Sequence, residues 1–402
     1  MGGPLDGTLV LDLSRVLAGP WASQALADLG ARVIKVERPG RGDDTRSWGP
    51  PYLGSGENRE SAYFLSANRG KESIAVDFKD PRGQSILLKL ASKADILIEN
   101  YKLGGLKAYG LDYDSIRPLN PAIVYCSISG FGQTGPYAKK PGYDFIIQAM
   151  SGLMSITGTE KPTKVGVAVS DLITGLYATV GILGAYTRAR ETGQGEFIDI
   201  SLLDSQLATL ANQASNFLVT GSSPGLSGNA HPNIVPYQVF ETADDPIVVA
   251  VGNDTQFVSL CRLIGREPLA SDPRFISNSA RVLNRRTLVE LIAAELAKQS
   301  AASWLDAFED CGIPVGPVNS IGEAFADAHV IERQTVMHLE REGLGPVPSV
   351  RSPIRFRNCT VDEGRAAPAL GDSTETVLRE LGLDEEEIRI LLDDGVIAKP
   401  GD

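Results

Sequence analysis

One acidic side chain stands where it could do covalent chemistry. Asp171 lies in VGVAVSDLITGLYATVGIL, between a short apolar run and a long uncharged segment. An Asp at that junction suits a helix N-cap. It also suits a nucleophile, because the helix dipole and free N–H groups would keep it ionised inside an apolar wall. Carboxylates can carry covalent acyl intermediates, and both roles can hold at once. Basic residues gather in early loops: Arg38, Arg41 and Arg46, then Arg69 and Lys71, Lys102 and Lys107, and Lys139 with Lys140. Any single one reads as solvated surface. Together they fall near the C-terminal ends of predicted strands, the ligand edge of an open α/β sheet, and suit a phosphate-rich ligand. Gly130, Phe131 and Gly132 in GFGQTG, and Gly142-Tyr143-Asp144, flank the Lys pair; such glycines serve as loop punctuation or let backbone approach a ligand.

Other chemistries are excluded by what is missing. Glu37 ends the second predicted strand, where a ribose-binding acid would sit, but the loop SRVLAGPW lacks GxGxxG, so a dinucleotide fold fails. No P-loop and no GxSxG occur, and three His (231, 329, 338) leave few routes to a Ser-His-Asp hydrolase. Four scattered Cys with no CxxC support neither a zinc site nor a disulfide framework. A net charge of −12 disfavours nucleic acid and anionic lipid as partners. The apolar, uncharged run Leu172–Thr187 has 16 residues, short of the ~18–20 that span a bilayer. With no leader pattern at the N-terminus, the expected compartment is a reducing, bacterial cytoplasm.

The elements that must position these groups follow from periodicity. Thr8–Leu13 and Arg32–Glu37 read as strands around a helix with Pro20 in its first turn and Gly30 as its stop. Strands at Ser73–Phe78, Asp95–Asn100, Ala122–Ser127 and Glu196–Ser201, with helices at Pro81–Ala94 and a buried Leu172–Arg188, predict a doubly wound α/β domain through about residue 200. An amphipathic helix at Asp204–Thr220 and a Gly/Ser/Pro-rich stretch at Gly221–Asn229 precede a smaller unit. That unit has a strand at Ile247–Val251 and helices at Gln256–Leu263, Arg286–Gln299 and Ala302–Asp310. The chain closes on two short helices, Glu375–Leu381 and Glu385–Leu392, the second with Asp384 as its cap.

The segments LDLSRVLAGPWASQALADLGARVIKVERPGRGD, ANRGKESIAVD, ISGFGQTGPYAKKPGYDFIIQAMSGLMSITG and VSDLITGLYATVGILGA resemble class III CoA-transferases, the formyl-CoA and carnitine CoA-transferase family. The likeness continues through SGNAHPNIVPYQVF, SDPRFISNSARVLNR, CGIPVGPVNSIGEAF, VRSPIRF and LRELGLDEEEI, so it spans nearly the whole chain. It implies a large Rossmann-like α/β domain built from both chain ends (1–200 and 345–402), linkers at 201–224 and 326–344, a smaller α+β domain at 225–325, and an interlocked homodimer. It implies that Asp171 carries CoA, that Val16, Ala18, Arg38, Lys71, Asn100, Lys102 and Lys139 surround the CoA, and that Arg38 and Lys71 face phosphates or adenine. Gly130, Phe131, Gly132, Tyr143, Gly228 and His231 are the candidate substrate-loop residues. His231 is read either as a grip on a distal carboxylate or as a structural loop residue.

The implied reaction moves CoA from an acyl-CoA to a carboxylic acid and needs no metal and no cofactor beyond coenzyme A. Leu17 replaces the glutamine of formyl-CoA transferases, and GLSGNAHP is shorter than their Gly-rich loop; both weaken an oxalate/formate assignment. The overall look favours succinyl-CoA and short dicarboxylates. Two alternatives stand beside it. An α-methylacyl-CoA racemase would need a histidine where Tyr143 stands, and a phenol, ordinarily titrating near ~10, is a poor acid/base partner. A non-catalytic CoA-ester binding protein is the other.

Overall fold

The computed structural model describes residues 2–361 and 364–401. Strand β1 (Leu9–Asp12) leads through a loop into helix α1 (Ala18–Ala27), and β2 (Arg32–Glu37) returns parallel to β1. Then come β3 (Lys71–Val76), β4 (Ile96–Glu99), β5 (Val124–Ser129) and β6 (Glu196–Ser201). The last strand, β7 (Ile397–Ala398), comes from the far end of the chain. The sheet order is β7-β3-β2-β1-β4-β5-β6. Every pairing is parallel except β7 on β3. The order reverses between β1 and β4, so the crevice beyond their C-terminal ends is the switch point where such sheets take ligands.

Neighbouring residues on one strand serve opposite faces, and both faces are buried. Leu11, Ile34, Ile74 and Leu97 pack on one side; Val10, Val33, Ile96 and Ile98 pack on the other with α1. That is why these strands read as continuous apolar runs rather than alternating ones.

Helices α2 (Asp144–Met150) and α3 (Val169–Thr192) complete the part of the fold that carries the site. Among the described residues α3 is the one helix long and apolar enough to cross a membrane by length and composition, which the uncharged run alone does not indicate. Here it lies against α1. A Cβ on Gly175 would stand 2.7 Å from the Ala18 carbonyl oxygen and 3.1 Å from Trp21, so glycine is what lets the two helices close. Only one face is buried, through small residues such as Thr174, Gly175 and Ala178. Leu176, Tyr177 and Val180 point outward, so the expected burial of this helix holds for one face and not the other.

The chain divides into two compact units. The first comprises Met1–Ser151, Gly166–Thr209 and His329–Asp402; the second comprises Gly152–Val165 and Leu210–Ala328. The second is α+β. It has a three-stranded antiparallel sheet with Ile247–Ala250 between Tyr237–Phe240 and Val315–Pro317. Its core takes Phe257, Leu288, Ile292 and Phe308 from the flanking helices.

Three boundaries differ from the sequence reading. Gly152–Val165 groups with the second unit, not the first. The single helix expected at 204–220 is two, Leu202–Ala208 and Ala211–Thr220, broken where Ala211 takes φ +47°. The linker expected at 326–344 contains a strand: Val336–Arg341 pairs antiparallel with Gly345–Val350. Its period-two apolar positions, Met337 and Leu339 with Val347, bury against Phe64 and Leu65, a pattern hidden by the surrounding Gly and Pro.

Candidate active site

At the switch point, the loop after β1 is gripped from two directions. Arg15 N–H donates to Asn100 Oδ1 at 2.8 Å, and Asn100 Nδ2 donates back to the Arg15 carbonyl at 2.6 Å. The next residue, Val16, has φ +71°, and its N–H donates to both Asp43 carboxylate oxygens at 3.2 Å. Asp43 also accepts from the Thr45 N–H and hydroxyl and pairs with Lys35 at 2.9 Å, both side chains fully enclosed. Burial opposes the charge on Asp43, but the Lys35 ammonium and the Thr45 N–H outweigh it and hold the carboxyl down at about 2. Lys35 donates in turn to the Ser14 carbonyl at 2.9 Å. Behind this, Glu37 accepts from Arg46 at 2.6 and 2.8 Å, from the Asp43 N–H and from the Ser73 hydroxyl.

A narrow cleft opens over this frame, and Arg15, Arg38, Arg41, Lys79, Phe78 and Tyr101 line it. Asp43, Asp44 and Asp77 border the same cleft, and its arginines and flat rings suit a phosphorylated nucleotide. Arg38 is exposed there, and Asn100 stands at its edge through Arg15. Lys71 is elsewhere. Its ammonium is buried and bonds Asp12 at 3.2 Å, the Pro20 carbonyl and Asn68 Oδ1. Burial lowers its pKa to about 8. Lys71 therefore does not face a phosphate in this structure; a β-strand start turned its side chain into the sheet core. Ala18 is buried at the start of α1, under α3. Lys102 lines a second, small cleft with Glu99 and Gln133, and Lys139 is exposed on its loop.

Asp171 is the third residue of α3, with Ala168 in the cap position. The N-cap reading is therefore corrected: the cap comes from outside, where Asp144 Oδ1 accepts from the Ser170 N–H at 2.9 Å. The expectation that the helix end keeps Asp171 strongly ionised does not hold. Burial, and then the negative charge of Asp144, push Asp171 up to about 7. Among the described residues, no hydrogen bond or ion pair reaches the Asp171 carboxylate. The Tyr63 phenol senses the same pair: burial, then Asp171 and Asp144, raise it to about 12, so it stays a hydrogen-bond donor at neutral pH. Its ring stands edge-on to Trp48 at 5.2 Å. A half-buried carboxylate poised at neutrality, beside a second carboxylate and a protonated phenol, can attack a thioester carbonyl and be attacked in turn.

The glycine loops meet each other. A Cβ on Gly130 would lie 2.7 Å from the Gly142 Cα, so both positions need glycine for close backbone approach. Phe131 packs edge-on to Tyr137 at 5.5 Å, and Gly132, at φ +83°, donates to Ser129 Oγ. Gln133 Nε2 donates to Ser127 Oγ at 2.9 Å, and Ser127 bonds Glu99, which ties GFGQTG to the sheet edge. Tyr143 is 66% exposed at the cap of α2. Gly228 and His231 belong to the second unit. Gly228 donates to the Gly158 carbonyl, and His231 Nδ1 accepts from the Asn233 N–H at 3.1 Å in a local turn.

Asp43, Tyr63 and the capping role of Asp144 are not legible in the sequence. GYD was visible as a motif, but nothing in it says that its acid caps a helix starting 25 residues later.

Comparison with known proteins agrees along the whole length. The profile of CoA-transferase family III matches residues 5–374. The chain is 50% identical over 382 residues to the succinate–glutarate CoA-transferase of Agrobacterium fabrum, covering 94% of this chain and 96% of that one. It is 46% identical over 397 residues to the succinyl-CoA:glutarate CoA-transferase of Mus musculus, covering 98% and 90%. A crystal structure of a CAIB/BAIF family protein from Brucella suis superposes with a TM-score of 0.83 at 45% identity, over 95% of this chain and all of that one. The chain belongs to CoA-transferase family III. It is an enzyme that transfers coenzyme A between carboxylic acids.

Proposed function

We propose that the enzyme takes CoA from succinyl-CoA to a short dicarboxylic acid of the glutarate class through an aspartyl-CoA thioester on Asp171. The observation that carries this is the Asp171 carboxylate itself, half-buried and poised near neutrality beside Asp144, with no cation paired to it among the described residues. Ionised Asp171 attacks the thioester carbonyl; the C–S bond breaks, leaving an acyl-aspartyl anhydride and CoA thiolate. The thiolate attacks the aspartyl carbonyl and expels the donor carboxylate, which yields the enzyme thioester. The acceptor carboxylate attacks that thioester, and the same two steps run backward to release the new acyl-CoA and free Asp171. No water enters the sequence, so the thioester free energy is conserved.

Tyr63, whose phenol stays protonated and feels the charge of Asp171, is the candidate donor to the oxyanion that forms at each addition. Arg38 and Arg41 with Tyr101 take the phosphorylated adenosine end, and the backbone of residues 15–18 borders the pantetheine arm. Lys102 and Lys139 reach phosphate from exposed loops. The working enzyme is an interlocked homodimer in the cytoplasm and uses no cofactor beyond its CoA substrate. The outward face of α3, with Leu176, Tyr177 and Val180, supports assembly with a second copy.

Incubation with succinyl-CoA alone, then trapping with hydroxylamine or borohydride and peptide mapping, is expected to mark Asp171. An active enzyme with that peptide unmodified rules the thioester out. A panel of acceptor acids with succinyl-CoA as donor then ranks the dicarboxylates.

A further inference from the structure

Only three non-glycine residues among those described have positive φ: Val16, Ala211 and Gln334. Val16 is β-branched, the side-chain type least suited to that region. Such a conformation persists only where its surroundings over-determine it, and strained backbone gathers at ligand clamps. The surroundings here are specific. The Val16 N–H points at both oxygens of a carboxylate that is itself buried, ionised and paired with a buried lysine. The lysine donates onward to the Ser14 carbonyl, and Asn100 brackets Arg15 on both its N–H and its carbonyl. Residues 14, 15 and 16 are thus each held by a side chain from a different part of the sheet edge. Arg15 and Asp43 themselves line the cleft that Arg38 and Arg41 border.

We propose that Asp43 is a positioning residue for the acyl-CoA substrate: its carboxylate, backed by Lys35, holds Val16 in the left-handed region and so fixes the backbone of residues 15–17 as one wall of the CoA cleft. This rests on the reading that the arginine-lined cleft takes the CoA. Without the clamp, Val16 relaxes to negative φ, the peptide on either side rotates, and the wall loses its shape. Glycine at position 16 would not relax in this way, since it populates positive φ without strain.

The test measures steady-state kinetics of Asp43→Ala, of Val16→Gly, and of the double variant. For Asp43→Ala, which removes the acceptor of the Val16 N–H, the KM for succinyl-CoA is expected to rise roughly tenfold or more, with kcat changed by less than about threefold and the acceptor KM unmoved. In the double variant the glycine is expected to bring that KM back to within about threefold of the wild type. A purely structural role for Asp43 would show no such rescue. Because alanine leaves Lys35 without its partner and risks the fold, Val16→Pro is the second probe. Proline has no N–H to give and cannot reach φ +71°, yet it leaves the Lys35–Asp43 pair intact. It is expected to raise the succinyl-CoA KM in the same way. A wild-type KM in Val16→Pro, or a folded Asp43→Ala whose defect ignores the residue at 16, overturns the proposal. Arg38→Ala separates the two readings. If it raises the succinyl-CoA KM while the 43 and 16 variants do not, the clamp alone is wrong; if it too has no effect, the cleft assignment falls with it.

Discussion

Asp43 and Asp171 are both carboxylates withdrawn from water in the same unit, and their surroundings are opposite. Asp43 has a lysine at 2.9 Å, two N–H donors and a hydroxyl. Asp171 has a second carboxylate for a neighbour and no donor among the described residues. The first is held down at about 2 and the second pushed up to about 7, although burial opposes ionisation at both. The difference separates scaffold from reagent. A compensated carboxylate is rigid and chemically inert, and shapes a binding wall. An uncompensated one keeps its lone pairs for a substrate carbon, and the cost appears as a raised pKa. The same logic runs through the wall, where Glu37 with Arg46 and Asp12 with Lys71 are also matched pairs.

The comparison breaks first at Asp171. Asp171→Asn is expected to lower turnover by more than about 10³-fold, because an amide cannot form the thioester. Yet the same variant should be more stable than the wild type at pH 8, by roughly 1–3 kcal/mol. The sign follows from the raised pKa. Below the ordinary carboxylate value both folded and unfolded Asp171 are neutral and nothing is lost. As pH rises to about 7 the unfolded chain ionises first, so the folded state is progressively penalised. The gain from asparagine should therefore grow between about pH 4 and pH 7 and then level off, as followed by denaturant melts across that range. A variant that loses stability at pH 8 would place Asp171 among the scaffold groups.

Lys35→Met cuts the matched side of the comparison. It leaves Asp43 buried without its cation, and unfolding free energy is expected to fall by about 3–5 kcal/mol. Little change in a denaturant melt would mean that the pair is not what holds the wall. The smallest effect is the sharpest. Asp144→Asn keeps an oxygen for the Ser170 N–H but removes the like charge beside Asp171. The rise of kcat/KM for succinyl-CoA with pH, set by ionisation of Asp171 in the free enzyme, should shift its midpoint from about 7 toward lower pH, by roughly half a unit to one unit. A shift upward would contradict the like-charge account.

The sheet was readable because both of its faces are buried. A run such as RVIKVE announces a strand whatever lies around it; the edge strand Glu196–Ser201, only half-buried, still falls where its β-branched and aromatic residues put it. The final helix cap was equally readable, since Asp384 and Glu387 form a capping box within four residues of sequence. What the sequence hid is non-local. Lys71 carries the same charge as Arg38 and sits in as suggestive a motif, yet one faces the sheet core and the other the cleft. Only the strand register decides which, and register is a property of pairings across the chain. The strand at 336–341 was masked for a related reason: Gly and Pro on its partner Gly345–Val350 read as loop, although the ladder holds six residue pairs. Asp171 itself stood out because its neighbours for fifteen residues on either side are nearly all uncharged; its true electrostatic partner, Asp144, lies on another helix.

The short β7 strand has a consequence for how the molecule is made. It pairs with β3, whose outer edge is otherwise open among the described residues, and it lies far along the chain from it, at Ile397–Ala398. During synthesis that edge stays exposed from the moment β3 joins the sheet until those two residues emerge, with the second unit made in between. A nascent chain in this state offers a ready template for strand addition by its neighbours. The seal is two residues long and arrives late, which makes that short strand a guard against aggregation as much as a piece of the fold.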